Sequence, residues 1–156
     1  MVDDRKLIIY TAQSKHFFYC RDAVCEFVFH MGAVPLNPFR VFDYFLSDRV
    51  SRDVVRDGNR RIIEASDEVW VFGQELADGV ILEIALATRL AKPLRYFSIG
   101  ARAADIGPIP PGQLTVEDEV LMMSGLDEPQ IRQHIVEQST ETIISAMGRA
   151  RELSGI

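Results

Sequence analysis

The chain has 156 residues, 47% of them apolar and 26% charged, with 17 basic against 23 acidic side chains and a net charge of −6. That is the size of one domain with a full hydrophobic core, and the acidic balance argues against broad electrostatic binding to a nucleic-acid polymer or an anionic membrane. No stretch approaches the roughly 20 apolar residues of a membrane span, the charged start Met1–Lys6 does not read as a signal peptide, and two cysteines (Cys20 and Cys25) on different faces of an expected helix fit a reduced, cytoplasmic setting.

Along the chain, Leu7 to Thr11 is a compact apolar run of the kind that forms a strand covered on both faces. Phe17, Cys20, Val24, Phe27, Val28 and Met31 then recur at helical spacing, and Gly32 supplies a stop. Ala33 to Leu36 reads as the second strand. The aromatic segment from Asn37 to Phe45 follows its carboxyl end, the place where open parallel sheets bind ligands. Phe39 and its neighbours there form either a lid over a ligand or a loop packed back on the body.

Val54, Arg61, Ile62 and Ala65 suggest a second helix ending before Ser66-Asp67. Val69 to Phe72 is the third strand, Val80 to Leu90 the third helix, and Leu94 to Phe97 the fourth strand after the breaker Ala91-Lys92-Pro93. Gly100 to Gly112, with Pro108, Pro110 and Pro111, reads as a loop. Val120 to Met123 is open between a fifth strand and something else. A last helix is expected from about 127 to 153, with Asp127 as N-cap, Gln130 three residues on and Pro129 in the first turn. The alternation of strand and helix predicts one α/β domain with a parallel sheet of four to five strands.

Glu83 is the residue most in need of explanation. From Val80 through Thr88 it is the single charged side chain, on a helix apolar on nearly all sides and therefore buried. An unpaired buried carboxylate is expensive. The pattern places it in the first turn, where the helix dipole favours the ionised form by roughly 0.3–1 kcal/mol and keeps a nucleophile available. The plain structural reading is an N3 capping residue. Asp78 and Gly79 just before it fit either account, Gly79 allowing close approach of a ligand to the backbone. Asp57 is a second candidate, expected near the start of its helix, though from the residues alone a solvated side chain in a charged stretch is the better reading. Gly58 beside it marks close packing or ligand approach. His16, His30 and His134 have no metal-ligand spacing, so no metal or cofactor is expected. P-loop and dinucleotide fingerprints are absent.

The run Asp67-Glu68-Val69-Trp70-Val71-Phe72-Gly73, then Ala77 to Ala87, then Ala91-Lys92-Pro93-Leu94 resembles the nucleoside 2-deoxyribosyltransferase superfamily, and most closely its uncharacterised bacterial branches. Ile9-Tyr10-Thr11-Ala12 is similar to that family's first strand, and the likeness extends over about residues 6 to 98. It implies a flavodoxin-like three-layer sandwich and an enzyme that cleaves the N-glycosidic bond of a nucleoside or nucleotide by transfer or hydrolysis. Glu83 would attack the anomeric carbon and form a covalent glycosyl-enzyme. Asp57 would handle the proton of the departing base, Tyr10 and Gln13 would line the sugar or base pocket, and Arg21 would reach a 5′-phosphate. Homodimers or larger homo-oligomers are the rule in such a family. One departure is Ala77, six positions before the glutamate, where characterised transferases carry an acidic residue. Two other functions fit the same fold: a non-catalytic nucleotide-binding domain and a glycohydrolase of a dinucleotide such as NAD.

Overall fold

The computed structural model describes residues 4–42 and 49–153; Asp43 to Phe45 of the aromatic segment lie outside them. The first strand, β1 (Ile8–Gln13), is buried from Ile9 onward, as a non-alternating apolar run requires. A 3-10 turn over Lys15–Cys20 leads into α1 (Arg21–His30), and Gly32 ends that helix at φ +83°, in the left-handed region that glycine adopts without strain. Then come β2 (Val34–Leu36), the short α2 (Pro38–Val41), α3 (Arg52–Ala65) and β3 (Glu68–Phe72). After β3 the chain makes β4 (Glu75–Leu76), α4 (Asp78–Arg89) and β5 (Leu94–Phe97).

The main sheet has the order β2-β1-β3-β5 and all three pairings are parallel, with Tyr10 beside both Leu36 and Val69, and Val71 beside Tyr96. This is the flavodoxin-like order, and layers cover both faces. On one face α1 sends Ala23, Val24 and Val28 against Ile9, Trp70, Phe72 and Phe97. On the other, α4 buries Val80, Ile81, Leu82 and Ile84 through Ala87 against Tyr10, Ala12, Val69 and Val71. Strand alternation divides neighbours between these two cores: Ile9 goes to one and Tyr10 to the other.

The remainder settles one open reading of the sequence and corrects another. Val120 to Met123 is helical, inside α5 (Asp118–Ser124), which ends on Gly125 at φ +69°. The parallel strand that does form beyond the sheet is β6 (Thr115–Val116), paired with β4. The expected long C-terminal helix is two, α6 (Glu128–Val136) and α7 (Thr140–Ala146), followed by a 3-10 turn over Ala150–Leu153. Asp127 and Gln130 make the expected capping box. The break falls in the polar run Glu137–Ser139, where Gln138 turns at φ +58° and Ser139 Oγ lies 2.9 Å from His134 Nδ1. It lets α7 turn back and pack Ile143 and Ile144 into the α4 core. Among the described residues no helix is long and apolar enough to cross a membrane.

Candidate functional site

A cleft of about 600 Å³ opens beyond the carboxyl ends of β1 and β3. These two strands flank the topological switch point, since the chain passes from β1 to β2 on one side and returns to β3 on the other. The switch parts the connections that leave the two strands, and the parting makes the crevice.

Each wall comes from a different element. The end of β1 and the residues just after it supply Gln13, Ser14 and Lys15. The start of α4 supplies Ala77 to Val80 and Glu83, and the start of α5 supplies Glu117 and Glu119. From α2 and its end come Pro38, Phe39 and Phe42. One face of α3 contributes Arg52, Val55, Arg56 and Asn59, the i, i+3, i+4, i+7 stripe of a helix. Asn37 fixes the entry to α2: its side chain accepts from Phe39 N (3.0 Å), while its Nδ2 donates to Gln13 Oε1 (2.7 Å) and Gln13 Nε2 donates to Phe17 O (2.8 Å). Gly58 is explained by packing, because a Cβ there would lie 3.0 Å from the Phe42 ring.

Glu83 stands at the inner end of the cleft. Helix α4 starts at Asp78 with Ala77 as its extended N-cap, so Glu83 is the sixth helical residue. This corrects the expected first-turn position, and an N3 capping role is excluded. Oε2 of Glu83 accepts a hydrogen bond from the Tyr10 hydroxyl, and Oε1 has no partner among the described residues. Burial pushes the Glu83 carboxyl up to about 7, only partly opposed by the bond from Tyr10. The expectation that the helix dipole keeps this group fully ionised is therefore corrected: desolvation wins, because the carboxylate sits deeper and further from the helix end than the dipole effect reaches. Tyr10 is itself raised well above 10 by burial and by the charge and hydrogen bond of Glu83, so it stays a donor throughout the ordinary pH range.

Two of the other cleft carboxylates, Asp78 and Glu117, are tied. Asp78 accepts from Arg149 Nη1 at 2.6 Å, and Arg149, with only 9% of its side chain exposed, also donates from Nη2 to Glu152 Oε1 at 2.9 Å. Glu152 in turn meets Arg56 at 3.0 Å. Glu117 accepts from Ser14 Oγ (2.9 Å) and lies 3.5 Å from His16 Nε2. The amide oxygen of Asn59 is buried without a hydrogen-bond donor among the described residues.

Of the residues singled out from sequence, Tyr10, Gln13, Phe39, Asp78, Gly79 and Glu83 converge here. Arg21 does not line the cleft: its Nη1 donates to Phe18 O (3.1 Å) and its guanidinium lies 5.2 Å from the centre of the Phe18 ring. Asp57 is likewise outside, with 74% of its side chain exposed and Arg60 at 3.7 Å. It lies well inside α3 rather than near its start, one helical step from the cleft-facing Arg56. Lys15, Phe42, Arg52, Asn59 and Arg149 were missed. For the α3 residues the stripe at 52, 55, 56 and 59 was the available signal. Among the described residues no cluster of three or more His, Cys, Asp or Glu is arranged to hold a metal ion.

Residues 10–97 match the model of a family described as "Domain of unknown function (DUF7768)". The chain belongs to this family. The match covers more than half of the chain and runs from β1 to β5, so it takes in every cleft residue except Glu117 and Glu119. Arg149, which holds Asp78, lies outside the DUF7768 span. No curated protein matches the chain.

Proposed function

We propose that this DUF7768 protein breaks the N-glycosidic bond of a nucleoside or nucleotide, with Glu83 as nucleophile. The observation that carries the reading is the Tyr10–Glu83 pair at the inner end of a cleft at the sheet's switch point. Tyr10 holds Oε2, and Oε1, with no partner among the described residues, is the oxygen left to attack. Attack by Oε1 on the anomeric carbon forms a glycosyl ester while the bond to the base nitrogen breaks and its electron pair leaves with the base. Water or a second base then attacks the same carbon and returns the carboxylate. Phe39 and Phe42 offer rings for the base to stack on, and Asn59 offers an amide. Transfer and hydrolysis differ in whether a base or water takes the second step.

A non-catalytic nucleotide-binding domain is the second reading. It is favoured by Ala77 at the place where the resembling transferases are acidic, and by the exclusion of Asp57 from the cleft. Chromatography of free base released from nucleosides, nucleoside monophosphates and NAD, with wild type and Glu83→Ala, separates the two. Release that disappears in Glu83→Ala supports the enzyme. Release that persists in the variant rules out Glu83 as nucleophile, and no release with ligand-dependent thermal stabilisation favours binding alone. Base exchange between a nucleoside and a second free base marks a transferase.

A further inference from the structure

We propose that Glu117 is the general base of the second step, taking the proton of the water or base that opens the glycosyl ester on Glu83. The inference rests on the glycosidic reading above and names a residue for the step that Asp57, outside the cleft, leaves without one.

The placement of Glu117 comes from a strand pairing between distant segments. β4 and β6 run parallel with Leu76 beside Val116, and the Glu117 N–H donates to Leu76 O at 3.0 Å. The next positions on the two strands are Ala77 and Glu117, both still extended. Side-by-side residues of a parallel pair project to the same face, and both of these line the cleft. A carboxylate is thereby delivered next to Ala77 from a segment beyond β5.

Glu117 is the N-cap of α5, yet its side chain makes no capping bond. It reaches Ser14 instead, whose hydroxyl donates to Oε2 at 2.9 Å and accepts from the His16 N–H at 3.3 Å. Ser14 is buried just past the end of β1, so the carboxyl is held against a fixed donor. Oε1 lies 3.5 Å from Nε2 of His16, an imidazole 63% exposed, whereas the Glu117 side chain is only 12% exposed. The cleft's other carboxylates are less suited. Glu83 carries the sugar, Asp78 is occupied by Arg149 at 2.6 Å, and Glu119 is exposed.

The step balances. As the incoming oxygen or nitrogen bonds to the anomeric carbon, the ester C–O bond breaks and its electron pair returns to Glu83. The nucleophile's proton goes to Glu117 and from there to His16 and solvent. It offsets the proton that the departed base anion takes up.

The test is rapid-quench measurement of base release by the full chain, with intact-mass spectrometry of the protein, on a nucleoside or nucleoside monophosphate that wild type cleaves. Glu117→Gln is expected to release a first equivalent of base within a few-fold of the wild-type rate. Steady-state turnover should then fall by about 10²–10⁴-fold, with one glycosyl unit retained on the protein. Azide, which attacks without giving up a proton, should restore turnover and yield a glycosyl azide. Ser14→Ala, which loosens the Glu117 carboxyl without removing it, should give the same pattern with a smaller loss, and circular dichroism checks that both variants are folded. Unchanged turnover in Glu117→Gln, or a loss without the retained sugar, overturns the inference. If base release still depends on Glu83 in that case, Glu117 alone is retired and the glycosidic reading stands. Base release that is absent from wild type or independent of Glu83 sinks both.

Discussion

The Tyr10 hydroxyl and the Glu83 carboxyl share a hydrogen bond between the central strand β1 and the buried helix α4, with Tyr10 the donor. Burial of the Glu83 carboxyl, only partly offset by this bond, couples stability to pH in a direction opposite to most carboxylates. Glu83 is raised by burial from 4.5 to about 7, so between those values the folded protein holds a proton that the unfolded chain has lost. Stability therefore falls as pH rises through that window. Glu83→Gln removes the ionisation and keeps the shape. Denaturant melts at pH 5 and pH 8 should show the variant gaining on wild type by about 1–3 kcal/mol at the higher pH. An equal difference at both pH values contradicts the assignment. Glu152, lowered by its hydrogen bond from Arg149, adds stability that is lost only as pH drops through the ordinary carboxylate range, so the two effects separate cleanly.

On the proposed glycosidic function, the same pair should set the pH profile of turnover. A nucleophile must be ionised, so kcat/KM for base release should climb from pH 5 to pH 8 with a midpoint near 7. Tyr10→Phe removes the one bond that pulls the Glu83 carboxyl down, and should shift this rise to higher pH while lowering the rate at neutrality. A rate that instead falls with pH would identify Glu83 as a general acid.

Arg149 and Asp78 are 71 residues apart in sequence, yet they join the C-terminal segment to the first turn of α4. Arg149→Ala leaves Asp78 without its cation and Glu152 with Arg56 alone, and a loss of about 2 kcal/mol is expected, below the cost of breaking a fully buried pair because both carboxylates keep some solvent. Lysine at this position restores the charge but not the forked geometry and should recover only part. Urea melts measure both. Ligand affinity should weaken alongside, since Asp78 lines the cleft and Glu152 holds Arg56.

Much of the fold was legible because burial on both faces of a sheet leaves a local trace. The runs at Leu7, Ala33, Val69 and Leu94 became β1, β2, β3 and β5, and α4 was recognisable from its all-round apolar surface. Glu83 stood out for the same reason. The pairing of its carboxyl did not, because that depends on Tyr10 arriving from strand β1. Arg149 was illegible in principle: an arginine in a polar tail looks solvated until the tertiary fold lays it against Asp78. The break between α6 and α7 was hidden because Ile131, Ile135, Ile143 and Met147 keep one helical phase across a turn at Gln138.

Asp57 and Asn59 provide the sharpest comparison of sequence reading with geometry. Charge drew attention to Asp57, but successive residues on a helix point about 100° apart, and that rotation carries Asp57 into solvent while Asn59 faces the cleft. Asp57→Asn should leave stability within about 0.5 kcal/mol of wild type and leave base release unchanged. Asn59→Ala should cost roughly tenfold in ligand affinity, the worth of one hydrogen bond accepted by its amide oxygen, with little change in the melt because that oxygen has no partner among the described residues to lose. Parallel calorimetry and base-release assays on the two variants decide the matter. If Asp57→Asn is the one that fails, the proton-handling role implied by the family resemblance stands, and the cleft must close differently around its substrate.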